Sequence, residues 1–189
     1  MVYNDQLKRE IPADWEVKCI GSILDRVPVT RRLETQEYKS EGKYPIVDQD
    51  SSVFIAGYTD EEEAVKRYPA VLFGDHSTCV KFLNFEFVRG ADGTQILFSK
   101  EKRVTPYYLY LAVEKLPIPN KGYSRHFKYL KELPIILPAE DIVEQFEYNV
   151  KCLYTKKTLA DNENKELEKL RDRLLPLLMN GQVSIENLP

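Results

Sequence analysis

At 189 residues the chain holds one well-buried domain plus an extended element, and little more; its 43% hydrophobic and 30% charged residues are ordinary for a soluble globular protein. The net charge of −3 weighs against a nucleic-acid binder, although the distribution counts the other way: from Lys115 to Lys131 there are five basic residues, plus His126, and no acid. No apolar run approaches the ~18 residues of a membrane span, and Cys19, Cys79 and Cys152, odd in number and without a C-x-x-C pair, argue against a disulfide framework or a zinc site.

Ile20 to Leu24 reads as a short helix after Trp15, and Tyr44–Val47 and Val53–Ala56 as short strands. Thr59-Asp60-Glu61-Glu62 has helix-start chemistry, a hydroxyl followed by first-turn carboxylates. Apolar stretches at Ala70–Phe73, Cys79–Leu83, Phe85–Val88 and Gln95–Ser99 are separated by Gly74-Asp75, Asn84 and Ala91-Asp92-Gly93, a series of tightly joined strands. Thr105-Pro106 opens a helix with a threonine cap and proline in the first position. Pro134 to Leu137 is one more strand. The expected fold class is α+β: a globular head with a curled, mostly antiparallel sheet and short helices, followed by one long coiled-coil α-helix.

That helix is read from a change in composition near Pro138: from Asp141 to Asn180 there is no glycine and one proline. Steps of three and four residues give two seam positions. One is wholly apolar: Phe146, Leu153, Ala160, Leu167 and Leu174. The other begins with Val143 and Val150, turns polar at Lys157, Asn164 and Arg171, and returns to Leu178. The forty residues from Asp141 to Asn180, rising ~1.5 Å each, span roughly 60 Å. A polar Asn164 costs stability but discriminates register, which suits a defined pairing; the alternative is an amphipathic helix folded back on its own head. Pro176 is expected to kink or end the helix, and Gly181 to cap it.

Several segments carry a family resemblance. Ile11-Pro12-Ala13-Asp14-Trp15 is similar to the P-x-x-W opening of the recognition domains of type I restriction–modification specificity subunits. Gly122-Tyr123-Ser124, Phe127-Lys128-Tyr129-Leu130 and Leu133 to Pro138 resemble the family's stretch leading into its helix, which Glu144-Gln145 opens. Asn164 to Gly181 is similar to the ending N-x-x-L-x-x-L-R-D-x-L-L-P-x-L-x-x-G, the most specific of these motifs. The resemblance implies a DNA-reading target-recognition domain over 1–138, a spacer, dimerisation and docking helix over 139–181 and a tail over 182–189. It also implies a cytoplasmic, non-catalytic subunit without a cofactor of its own. Double-stranded DNA would be its ligand, and its partners methyltransferase subunits that bind S-adenosylmethionine, with restriction subunits where the system has them. Family members usually carry two recognition domains and two antiparallel helices. This chain has one of each, so the expectation is an antiparallel homodimer reading a palindromic, interrupted target. Pairing with another half-subunit, a coiled-coil adaptor that binds protein instead of DNA, and a silent fragment of a longer gene stay open.

The resemblance carries over no base contact. On chemistry alone, Lys121, Tyr123, Ser124, Arg125, His126 and Lys128 form the first candidate DNA-facing stretch, since arginine and lysine suit phosphates and guanine edges while serine and tyrosine donate to phosphate oxygens. The alternative for Tyr123 and Phe127 is plain core. A second candidate is the Gly74–Thr78 turn presenting His76, Ser77 and Thr78, with Lys81; its alternative is an ordinary hairpin turn. Arg89 and the Gly90–Gly93 turn rank lower. Glu163 and Glu168 are candidates to satisfy Lys157 and Arg171 across the seam. Glu-x-Lys strings of nuclease type occur four times, at Glu16, Glu37, Glu41 and Glu163, which makes them uninformative in a chain rich in both residues, and no glycine-rich cofactor turn of a methyltransferase is present.

Overall fold

The computed structural model describes residues 1–27, 30–118 and 125–182. They fall into two units, the first ending at Glu147 and the second beginning at Tyr148. In the first, β1 (Val2–Asn4) and β2 (Arg9–Ile11) make a hairpin whose turn is held by Asn4 Oδ1, which accepts from the N–H groups of Gln6 and Leu7 at 3.0 Å each. β3 (Glu16–Cys19) runs directly into the helical turn α1 (Ile20–Ile23), which buries both isoleucines. β4 (Tyr44–Val47) lies between β5 (Gly57–Thr59), antiparallel, and β8 (Val88–Arg89), parallel. β6 (Ala70–Gly74) lies between β7 (Val80–Leu83) and β9 (Thr94–Leu97), both antiparallel. Helix α2 (Pro106–Glu114) and helix α3 (Phe127–Glu132) follow, then β10 (Pro134–Leu137), which pairs back onto β3, and α4 (Glu140–Met179).

The α+β class, the antiparallel pairing and the long helix are as the residue pattern predicts. Among the described residues, however, the strands form four small sheets, and β4–β8 is a parallel strand pair. β6 explains the layering. All five of its residues are buried, and their alternation sends Val71 and Phe73 into one core with Ile20, Ile23, Leu109, Leu130 and Leu137. Ala70 and Leu72 face a second core with Val47, Leu83, Phe87 and Ile96. One strand thus carries helices on one face and the β5–β4–β8 sheet on the other. Truncating a side chain such as Phe73, 0% exposed, costs about 3–5 kcal/mol at positions of this kind.

Three local expectations need correction. Val53–Ala56 is not a strand, because Val53 O accepts from Lys81 Nζ at 2.8 Å and the ladder starts only at Gly57. Thr59 does not cap a helix; it ends β5, and Asp60 instead accepts from Lys43 N–H and Lys39 Nζ, which keeps the chain extended. α4 does not stop at Pro176 but continues to Met179. A proline there deletes one hydrogen bond near a helix end where few remain to be lost. The stop comes where Gly181 takes φ +65°, with Gln182 N–H on Leu177 O at 2.9 Å and Gly181 N–H on Leu178 O at 3.1 Å. No helix of the described residues is long and apolar enough to cross a membrane.

Candidate nucleic-acid interface

Because β4 and β8 run parallel, the loops that follow them leave from the same end, and the β6–β7 turn joins them there. Gln49 stitches the three loops together. Its Nε2 donates to Asp92 O at 2.7 Å, its Oε1 accepts from His76 N–H at 2.9 Å, and its backbone oxygen accepts from Ser77 Oγ at 2.6 Å. Gly93 is required where it stands: its φ is +83°, and a Cβ there would lie 2.6 Å from Gln49 Nε2 and 2.7 Å from His76 Cδ2. Thr78 takes φ 57°, costly for a β-branched residue, held by its N–H on Gly74 O at 2.9 Å and its hydroxyl on Ser77 O at 2.7 Å.

The two stretches chosen from sequence meet at this end. Asp75 is buried; its backbone oxygen accepts from His126 N–H at 2.8 Å and from His126 Nδ1 at 2.9 Å, and its carboxylate accepts from Phe127 N–H at 2.7 Å. Since a carbonyl only accepts, Nδ1 carries the proton. The arrangement starts α3 and leaves Arg125 and Lys128 exposed beside His76 and Ser77, also exposed, with Thr78 half-buried.

Two candidates are not on this surface. His126 is 0% exposed, spent on anchoring α3 to Asp75. Lys81 is 6% exposed, its ammonium donating to Asp48 O at 2.9 Å and Val53 O at 2.8 Å. Burial pushes the Lys81 ammonium below its usual value, while the Cys79, Asp48 and Asp50 charges oppose the shift. Lys121, Tyr123 and Ser124 lie outside the described residues. Sequence reasoning missed Gln49 and Arg32 and ranked the turn that holds Asp92 low; the Arg32–Asp92 ion pair at 2.6 Å joins residues 60 apart, and no local pattern marks it. A depression of about 680 Å³ lies elsewhere on the head, lined by Glu37, Asp60, Glu61, Glu62 and Glu63 against the single cation Lys39, a net negative charge that repels phosphate.

In the second unit the helix exposes its leucines: Leu153 65%, Leu159 64%, Leu167 55%, Leu170 49% and Leu175 52%. Ala160, Lys157, Asn164, Arg171 and Leu178 are exposed with them, and Leu174 is half-buried, as are Val150 and, in the first unit, Phe146. Phe146 meets the Tyr108 ring edge-on at 5.8 Å, and Val143 is buried. Within the chain Lys157 pairs with Asp161 at 2.6 Å and Arg171 with Asp172 at 2.7 Å.

No protein-family model matches the chain. The type I restriction enzyme MjaIX specificity subunit of Methanocaldococcus jannaschii is 26% identical to it over 215 residues, an alignment covering 99% of this chain and 48% of that protein. The chain is thus similar to a type I restriction specificity subunit. It spans about half the length of the curated relative it matches. The crystal structure of a type I restriction–modification S subunit from M. genitalium superposes with a TM-score of 0.70 at 17% identity, over 89% of this chain and 47% of that one, which shows a shared fold. A head of small sheets followed by a long helix is thus the architecture of one half of such a specificity subunit.

Proposed function

We propose that the chain is a DNA-reading half-subunit of a type I restriction–modification system, itself without catalytic activity. The observation that carries this reading is the match of nearly the whole chain to about half of a specificity subunit. The head contacts DNA with the end built by Gln49, His76, Ser77, Thr78, Arg125 and Lys128; by their chemistry Lys121, Tyr123 and Ser124 are further candidates. The helix pairs antiparallel with that of a second copy, along Phe146, Val150, Leu153, Lys157, Ala160, Asn164, Leu167, Arg171, Leu174 and Leu178. A parallel pair would stack Lys157 on Lys157 and Arg171 on Arg171, which repel; an antiparallel pair faces each cation with an apolar position. Two heads then read a bipartite, palindromic target and direct methyltransferase subunits, which bind S-adenosylmethionine, and restriction subunits where the system has them.

The negative net charge fits a protein that shares phosphate contacts with its partners. Isolated, it should bind DNA weakly and with strong salt dependence, and far more tightly with the methyltransferase. Deleting the gene and mapping host adenine methylation tests the reading: a bipartite motif should lose its methyl groups. An unchanged methylome, with the methyltransferase failing to co-purify, overturns it. Reversing charge at Lys121, Arg125 and Lys128 together should abolish DNA binding in a folded protein, whereas a protein-binding adaptor would keep its partner.

A further inference from the structure

Two guanidinium groups meet one carboxylate at the loop end of the head, and a third arginine stands in the neighbouring strand. Arg32 Nη1 lies 2.6 Å from Asp92 Oδ1, and Arg125 Nη2 stands 4.0 Å from Asp92 Oδ2. Arg89 is tied to the segment that carries Arg32: Leu33 N–H donates to Arg89 O at 3.0 Å, and Leu33 bridges Gly90. Burial holds the Arg89 guanidinium below the usual value, the Arg32 charge adds to that, and the Asp92 charge opposes it. Two guanidinium groups on one carboxylate, with a third arginine beside them, leave surplus positive charge at this spot.

Arg89 is the unusual member. It ends β8, where it pairs with Val47 and shares that residue's side of the sheet, toward the second core. It is only 6% exposed, and among the described residues its Nε is enclosed without a hydrogen-bond partner. Thr94, which starts β9 and shares a face with Ile96 of the same core, is 0% exposed with its hydroxyl likewise unpartnered. Buried donors left unpaired are costly, so a guanidinium held this way is a group waiting for an acceptor. The 90–93 turn around it is built firmly: Gly90 N–H donates to Val47 O at 3.0 Å, Ala91 N–H to Leu33 O at 3.0 Å and Gln49 Nε2 to Asp92 O at 2.7 Å.

We propose that Arg32, Arg89 and Arg125 form a seat for a backbone phosphate of DNA, with Asp92 holding the arginines in position until the phosphate arrives. Planar guanidinium forks match phosphate oxygens in pairs, and a phosphate would meet the charge that one carboxylate leaves uncompensated. The proposal rests on the DNA-reading function and adds a division of labour to it. This seat fixes where the head sits on the duplex, while His76, Ser77 and Lys128 beside it are left to read bases.

Anisotropy titration of two unrelated duplexes at a series of salt concentrations tests the seat. R32Q and R125Q, both at exposed positions, should weaken both duplexes by the same factor and each lower the slope of log K against log salt by about 1. D92N, which keeps one oxygen to hold Arg32 in position while removing the competing negative charge, should tighten binding to both. Unchanged slopes, or weaker binding by D92N, overturn the proposal. A second arm follows the Arg89 Nε–H resonance as inorganic phosphate replaces chloride at constant ionic strength. It should move in the wild type, and an immobile resonance overturns the role of Arg89. If the wild type binds no duplex at low salt while that resonance moves, DNA is overturned as the ligand and the anion seat stands. If neither responds, both fall.

Discussion

The carboxylate of Asp75 accepts a hydrogen bond from the backbone N–H of Phe127 at 2.7 Å, a contact spanning 52 positions of sequence. It supplies from the β6–β7 turn the N-terminal acceptor that α3 lacks locally, since His126 makes no side-chain cap. Asp75→Ala should therefore destabilise the head by about 1.5–3 kcal/mol, the usual worth of a buried bond to a charged group. Asp75→Asn, which keeps one acceptor oxygen, should cost less. Urea unfolding of the two variants checks the order; equal stability of Asp75→Ala and wild type would refute it.

Gly93→Ala combines two faults, a Cβ at φ +83° and a collision with Gln49 and His76. Together these should cost about 1–3 kcal/mol and weaken DNA binding, since Gln49 holds three loops in register. A thermal melt paired with the duplex titration separates the effects. Full stability with normal binding would show that the loops relax freely.

The exposed leucine face makes a prediction about association. Leu153→Asp with Leu167→Asp should turn a dimer into a monomer in sedimentation, with the melting of the head unchanged. A buried leucine is worth about 1.5–3 kcal/mol, so association should weaken roughly a hundredfold or more. Asn164→Leu should instead tighten association and broaden the set of oligomers, because a polar seam residue selects register at the expense of stability. A wild type that sediments as a monomer at high concentration would remove the homodimer.

Tyr38 gives a pH dependence. Burial, with the Asp48 charge and hydrogen bond adding to it, pushes its phenol up to about 12 from an ordinary 10.0. In the unfolded chain the phenol ionises earlier, so the stabilisation is complete below pH 10 and drains away as pH rises toward 12. Tyr38→Phe should flatten that alkaline limb in urea unfolding between these pH values. An identical limb in the two proteins would place the loss in other groups.

What the residues revealed in advance follows from local physics. β4, β6 and β7 show as apolar runs bounded by turns, α2 by Thr105-Pro106, and α4 by its heptads. The β1–β2 hairpin was illegible because it is an exposed ribbon, with Val2 54% and Tyr3 57% exposed and little apolar pattern to mark it. α3, six residues long, is too short for periodicity, and its acceptor comes from Asp75. The candidate site failed in part for the same reason. Lys81 and His126 look like surface residues by type, yet each faces inward because a distant carbonyl receives its donor. Arg32 joins Arg89 and Asp92 only once Leu33 bridges Gly90 at the end of the side-by-side β4–β8 pair.

That side-by-side arrangement constrains how this head can acquire a new target. With Gln49 bound at once to the turn at 76–77 and the turn at 92, no single loop is an independent cassette. Transplanting one of them into a foreign head would arrive with its stitching cut, whereas all three moved together would keep their mutual fit. The linkage makes the three loops one unit of exchange, sound when moved whole and broken when moved in part.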